Sequence, residues 1–272
     1  MKAVRIHSHG SIKVLKVDNI PKPQCTSDRV LVKIKACSLN HLDIWVRNGL
    51  PGIKIPLPLI MGSDASGVIV NVGSQIKNFK IGDKVVIQPG TFDLNDEYCK
   101  LKMENYSKTY GILGETENGV QAEFVSLKQD NVHLMSNRLS FEEAASMQLV
   151  FMTAYQMLIT RGCLKEDETI LIYGATSGVG SAAIQIAKNL GSNVITTVGS
   201  DSKKEYALSI GADYVLNHTQ DIKKDVRSYT SNMGVDMVCE HIGETTWNQS
   251  LSLLKKGGRV VTCGSTTGAN VS

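Results

Sequence analysis

No two of the six cysteines, at positions 25, 37, 99, 163, 239 and 263, stand at the short paired spacings of a disulfide framework. The N-terminus MKAVRIHSHG lacks the apolar stretch of a signal peptide. No apolar run reaches the ~18 residues that a membrane-spanning helix needs. A reducing, cytoplasmic setting with no membrane is therefore expected. An excess of one charge is missing too: 29 basic and 26 acidic residues leave a net +3, with no basic stripe of the kind that counterion release rewards on nucleic acid. The expected partner is a small molecule. Internal repeats and low-complexity segments are also absent. What remains, 272 residues of which 42% are hydrophobic, is enough for two packed cores.

The first half holds short alternating apolar segments, Val30 to Ala36, Gly67 to Val72, Lys84 to Gln88 and Ala122 to Leu127, separated by turn residues. This pattern predicts a β-rich, barrel-like domain. Ser140, three residues before Glu143, forms a capping box that starts a helix. A boundary is placed there, giving domains 1–140 and 141–272.

From Thr169 the period changes. Strands over Thr169 to Tyr173, Asn193 to Val198, Tyr214 to Leu216, Val235 to Cys239 and Arg259 to Cys263 alternate with helices over Val179 to Leu190, Asp201 to Ile210 and around Thr246 to Leu254. Regular βα alternation predicts an α/β, doubly wound parallel sheet.

The run ILIYGATSGVGSAAIQIAK sets a buried strand, a glycine-rich turn and an alanine-rich helix in succession. A pyrophosphate can then meet free N–H groups at the helix N-terminus. Gly174, Ala175, Thr176, Ser177, Gly178, Val179 and Gly180 are the candidate phosphate-binding residues. Ala175 and Ser177 break the strict GxGxxG pattern twice, so a turn that serves packing alone stays open for the motif by itself. The next strand ends in Thr197, Val198 and Gly199, without the carboxylate that would hold the ribose hydroxyls of NAD. Ser200, Lys203 and Lys204 just beyond can instead serve a 2′-phosphate, which favours NADP(H).

From KAVRI to GGRVVTCGSTTG the chain resembles the medium-chain dehydrogenases/reductases, and most of all their zinc-free quinone oxidoreductases. The resemblance implies a GroES-like catalytic domain followed by a Rossmann domain, here shortened at its C-terminal end. In KACSLNHLDIWVRNG, Asn40 stands for the first catalytic zinc ligand, a cysteine. In MGSDASGVIVNVG, Ser63 stands for the histidine and Asp64 for the glutamate, and in LVFMTAY Leu149 stands for the last cysteine. An amide, a hydroxyl, one carboxylate and an isobutyl group cannot replace those ligands, so no zinc is expected. The second zinc lobe keeps its spacing as Asp93, Asp96, Cys99 and Ser107, with one cysteine of four. It is expected to be metal-free and either packed or mobile.

By position, Ser200, Lys203 and His218 would read the NADP phosphate, His218 replacing the family's tyrosine; for that histidine, a polar residue merely ending a strand is an equal alternative. The nicotinamide end is implied to lie in the cleft between domains, near Asn40, Thr153, Gly243, Gly264 and Ser265. The family's hydroxyl proton relay is Leu42 here, and His41 and Asp43 are read as a structural hydrogen-bond pair.

Without zinc, carbonyl polarisation falls to the hydrogen-bond donors Asn40 and Ser63, with Asp64 beside them. That lever suits electron-poor acceptors, quinones and α,β-unsaturated carbonyls. The family is usually a homodimer or tetramer, but the pairing edge is expected to be missing here. Two alternatives stay open: a non-catalytic or degenerate NADP(H)-binding protein, and an alcohol dehydrogenase-like enzyme.

Overall fold

A computed structural model of the chain describes residues 1–271. It divides into two compact units, Met1–Leu149 and Val150–Ser272.

The first unit contains β1 (Lys2–Ile6), β2 (Leu15–Asn19), β3 (Arg29–Cys37), α1 (His41–Asn48), β4 (Leu59–Ile60), β5 (Ala65–Val72), β6 (Lys84–Ile87), β7 (Gly90–Thr91), α2 (Glu97–Lys100), β8 (Gly111–Ile112), β9 (Phe124–Lys128), β10 (Val132–Leu134) and α3 (Phe141–Ala145). An antiparallel five-stranded sheet runs β10-β6-β5-β3-β9, beside a three-stranded sheet β2-β1-β4. Alternation builds the core: Val30 and Val32, Val85 and Ile87, Val125 and Leu127 all reach one buried cluster with Ala65 and Ile69. The predicted strand at Ala122 begins instead at Phe124, because Ala122 bridges Ala3.

The capping box of α3 forms as expected, Ser140 Oγ accepting from Glu143 N at 3.1 Å and Glu143 Oε2 accepting from Ser140 N at 2.7 Å. The helix nevertheless stays with the β-rich unit. Ser66 Oγ donates to Phe141 O at 2.6 Å and Ala144 packs with Val86 and Met135. These contacts carry the division to Leu149, nine residues past the capping residue.

The second unit opens within α4 (Gln148–Tyr155), which runs into a π-helical turn over Gln156–Arg161. It continues through β11 (Thr169–Ile172), α5 (Gly178–Leu190), β12 (Asn193–Val198), α6 (Lys204–Ser209), β13 (Tyr214–Asn217), α7 (Lys223–Tyr229), β14 (Val235–Glu240), α8 (Trp247–Leu253) and β15 (Leu254–Thr262). The five strands are parallel in the order β13-β12-β11-β14-β15. Both faces of the sheet are buried. Ile170 and Ile172 of β11 pack with Ala182, Ala183 and Ala187 of α5, while Leu171 and Tyr173 pack with Val226 and Leu253 under α7 and α8. The alanine stripe lets α5 lie close on the sheet.

Three elements differ from expectation. Helix α7, KKDVRSY, buries Val226 alone and offers no periodic stripe to read. The helix predicted from Asp201 starts as a 3-10 turn, Asp201–Lys203, before α6. The last strand begins at Leu254, directly after α8, with a register shift against β14. Among the described residues no helix is long and apolar enough to cross a membrane.

Arg259 of β15 ties the unit together. Its guanidinium donates to the carbonyls of Gly162 and Cys163 and to Glu168 Oε1, the last at 3.1 Å. That partner holds the Glu168 carboxyl below its usual range. An Arg259→Met variant keeps the stem and loses the donors, so urea unfolding should show a loss of about 2 kcal/mol, the scale of hydrogen bonds to a charged group. An unchanged midpoint would refute this role.

Candidate functional site

In the second unit the predicted cofactor residues other than Thr153 gather at the C-terminal ends of the parallel strands, where open α/β sheets bind ligands. The turn after β11 is shaped by two glycines. Gly174 has φ +67°, and a β-carbon on Gly180 would lie 2.1 Å from the Gly174 carbonyl oxygen. Ser177 caps α5, accepting from Gly180 N at 2.9 Å. Gly178 and Val179 supply the first amides of α5, which lack intrahelical acceptors, and Gly178 and Thr176 are exposed. Ala175 is buried and donates its N–H to Thr197 O at 2.8 Å, locking the turn to β12. An exposed helix start fits a pyrophosphate.

At the end of β12, Ser200 Oγ lies 2.9 Å from Ser202 Oγ, Lys203 is exposed, and Lys204 pairs with Asp201 at 3.0 Å. His218 follows β13, with Nδ1 3.1 Å from Thr197 Oγ1. Gly243 lies between β14 and α8, beside the turn that contains Ser265. Thr267 N donates to Ile242 O at 2.8 Å and Glu244 N to Gly268 O at 3.0 Å, and Gly264 precedes Ser265 on the same turn. Thr153 sits half-buried on α4.

Sequence reasoning passes over Glu240 and His241. Glu240 is fully buried at the end of β14, where its carboxylate accepts from Ile242 N at 2.7 Å, Gly243 N at 3.2 Å, Thr246 Oγ1 at 3.0 Å and Ser250 Oγ at 2.6 Å. It shapes the loop that carries Gly243. The signal was a charged residue closing the apolar strand VDMVCE. His241 Nε2 lies 2.9 Å from Tyr173 O, and its ring is 3.4 Å from where a Gly174 β-carbon would sit.

In the first unit three of the four positions matched to zinc ligands come together, without a ligand set. Asp64 is fully buried. Its Oδ2 accepts from Asn40 Nδ2 at 3.0 Å and from Ser38 Oγ at 3.4 Å, and its Oδ1 accepts from Leu149 N at 3.0 Å. Burial pushes its carboxyl up to about 6, against those hydrogen bonds and with Asp43 adding to the rise. Both carboxylate oxygens are engaged and no thiolate or imidazole joins them, so these residues do not fit a catalytic zinc. Ser63 is not part of this cluster. It is buried and its hydroxyl donates to Leu113 O at 2.8 Å, so the expectation that it polarises a carbonyl is corrected: its one proton is already used.

His41 and Asp43 do not pair with each other either. Asp43 accepts from Asn40 N at 2.7 Å, capping α1, and the His41 ring meets Trp45 edge-on at 4.8 Å. In the segment matched to the family's second zinc lobe, Asp96 caps α2 through Tyr98 N, and Ser107 Oγ bonds Thr109 Oγ1 at 2.8 Å. Among the described residues no three His, Cys, Asp or Glu side chains form a group that could hold a metal.

Known proteins share this arrangement. A family model described as zinc-binding dehydrogenase matches residues 178–272, and one described as alcohol dehydrogenase GroES-like domain matches residues 26–137. The crotonyl-CoA carboxylase/reductase of Cereibacter sphaeroides is 34% identical over 98% of this chain and 70% of its own length. The quinone oxidoreductase of Homo sapiens is 32% identical over 97% and 73%. Among solved structures, an NAD-dependent alcohol dehydrogenase superposes with a TM-score of 0.95 at 40% identity, covering 99% of this chain and 79% of that one. The Escherichia coli quinone oxidoreductase complexed with NADPH gives 0.82 at 29% identity, covering 100% and 75%.

A carboxyl raised from 3.8 to about 6 binds its proton more tightly in the folded state than in the unfolded chain. Its contribution is fully present below about pH 4 and is lost as the pH rises through 6. Unfolding free energies of the wild type relative to Asp64→Asn should therefore fall by about 3 kcal/mol between pH 4 and pH 7. A pH-independent difference would show that Asp64 titrates normally.

Proposed function

The chain belongs to the medium-chain dehydrogenase/reductase superfamily, near its quinone oxidoreductase branch, and from that premise we propose that it is a zinc-independent oxidoreductase delivering a hydride from NADPH to a quinone or an α,β-unsaturated carbonyl. The observation that carries the reading is the Asn40–Asp64 cluster, in which protein donors occupy both oxygens of the one carboxylate at the zinc-ligand positions. NADPH, when bound, supplies the hydride; the chain's own residues bind, orient and polarise.

The amides of Gly178 and Val179 would hold the pyrophosphate at the start of α5, and Ser200, Lys203 and His218 would serve the 2′-phosphate. Glu240 fixes the loop of Gly243, which with Gly264, Ser265 and Thr153 would line the nicotinamide end. Asn40 has two amide protons and gives one to Asp64. The other is available to an acceptor oxygen, and the Asp64 carboxylate holds the amide in that orientation. A neutral amide stabilises developing negative charge less than a divalent cation does, which favours acceptors that are already electron-poor.

The purified protein should oxidise NADPH in the presence of a quinone or an enone, with rates unchanged by a chelator. Alcohol oxidation with NADP that a chelator abolishes would overturn the zinc-independent reading, and NADPH binding without oxidation across the acceptor panel would favour a non-catalytic binding protein. Asn40→Ala should lower kcat about a hundredfold, the scale of losing one oxyanion donor, with the dinucleotide Kd unchanged. Gly180→Ala should weaken NADPH binding at least about tenfold, because its β-carbon cannot share space with the Gly174 carbonyl.

A further inference from the structure

In the first unit, the strand lane beside residues 121–128 is filled for only part of its length. β1 occupies it as far as Glu123: Ala3 bridges Ala122 in antiparallel sense, Val4 N donates to Gln121 O at 2.8 Å, and Glu123 N donates to Lys2 O at 3.1 Å. Past Met1 the described residues put no strand in the lane. β9 is therefore the outer strand of its sheet, paired with β3 alone.

Ile34 N donates to Glu123 O at 3.0 Å, which sets the alternation of the β3–β9 ladder. Val125 and Leu127 turn their backbone groups toward β3, and Phe124, Ser126 and Lys128 turn theirs outward. One outward group has found a substitute partner: Ser126 O accepts from Arg29 Nη1 at 2.9 Å. The side chains of Val125 and Leu127 enter the core. Those of Phe124, Ser126 and Lys128 line a cleft of about 950 Å³, with Ile20, Pro21 and Phe92 among its apolar walls. Ser126 Oγ is buried there without a hydrogen-bond partner.

The Phe124 end of the lane is cationic. The Met1 ammonium lines the cleft while donating to Ile20 O at 2.6 Å, and Lys22 Nζ lies 4.0 Å from the centre of the Phe124 ring. The acid beside them, Glu123, already accepts from Lys2 N at 2.8 Å. Asp93 and Glu117, also on the cleft, belong to the loops after β7 and β8.

We propose that the open lane along β9 docks the C-terminal end of an extended, apolar polypeptide, added as a strand antiparallel to β9 with its carboxylate at the ammonium groups of Met1 and Lys22. The site uses none of the residues assigned to the dinucleotide or the acceptor. An extended backbone repeats its donors and acceptors every two residues, about 6.8 Å, which is the repeat of the outward groups on β9. Backbone pairing of this kind supplies affinity, and the cleft takes alternate side chains. A strand antiparallel to β9 runs in the direction of β1, so its C-terminus arrives at Met1. A second copy of β9 in the same place would set Lys128 against the cations of Met1 and Lys22, and like charges oppose that pairing.

The probes are heptapeptides labelled with fluorescein at the N-terminus, in which Val, Ile, Leu or Phe alternates with Thr before a free carboxylate. Titrated against the full chain by anisotropy, members of this panel should bind with Kd on the order of 10 µM. Amidating the C-terminus should weaken binding about threefold, and N-methylating alternate amides should abolish it. Ser126→Pro removes one outward N–H and leaves the β3 ladder intact, so it should weaken binding about tenfold with an unchanged far-UV spectrum. Hydrogen exchange on the wild type needs no variant. The amides of Phe124 and Ser126 should exchange fast in the free protein and be protected by peptide, with Val125 and Leu127 protected throughout. Absence of binding across the panel, equal binding of the amidated or N-methylated forms, or edge amides protected by self-association without peptide would overturn the proposal.

Discussion

The carbonyl oxygen of Gly174 occupies space that a β-carbon on residue 180 would need, and the cofactor-binding half of the molecule depends on that close approach. It lets the chain leave β11, turn once and enter α5 with its first amides facing outward. It also brings α5 near enough to the sheet for Ala182, Ala183 and Ala187 to pack on Ile170 and Ile172. A larger helix face would hold α5 away, and a larger residue at 180 would open the turn. The small residues of GATSGVGSAA thus serve packing and phosphate geometry together, which is why the motif survives two departures from the strict glycine pattern. Ala175 needs no unusual backbone, only a small side chain and an N–H for Thr197 O.

Each unit also uses a buried carboxylate as an organising acceptor, with different consequences. Glu240 gathers two backbone N–H groups and two hydroxyls from the loop that follows it, so its charge is matched by local donors and the loop is fixed. Asp64 gathers its donors from distant segments, Ser38, Asn40 and Leu149, and Asp43 lies close enough to oppose its ionisation. Burial, with Asp43 adding to it, pushes the Asp64 carboxyl up to about 6.

How much of this was legible in the sequence follows from where burial is two-sided. Strand β12 is bounded as expected, Asn193 to Val198, because apolar residues on both faces leave its ends unambiguous. The short polar helices α1 and α7 were not legible. Each buries a single valine, Val46 or Val226, and a lone buried residue has no period. That Asn40, Asp64 and Leu149 offer neither thiolate nor imidazole could be read from residue types, since ligand chemistry depends on identity. The assignment of Ser63 could not, because whether a hydroxyl faces a substrate or a carbonyl such as Leu113 O depends on a contact fifty residues away. Glu240 escaped for the same reason: its partners Thr246 and Ser250 become neighbours only when α8 folds back.

The loss of the acid at the end of β12 does more than remove a repulsion. A carboxylate there would hold ribose hydroxyls at the surface, whereas Thr197 turns its hydroxyl inward to bind the Gly174 amide. The nucleotide side of the site is therefore left to the residues that follow. A lone exposed lysine discriminates poorly, since its charge is screened over about 8 Å at physiological salt and its flexible stem must be ordered on binding. The His218 ring, held at Nδ1 by Thr197 and by its own backbone amide, is already ordered before any ligand arrives.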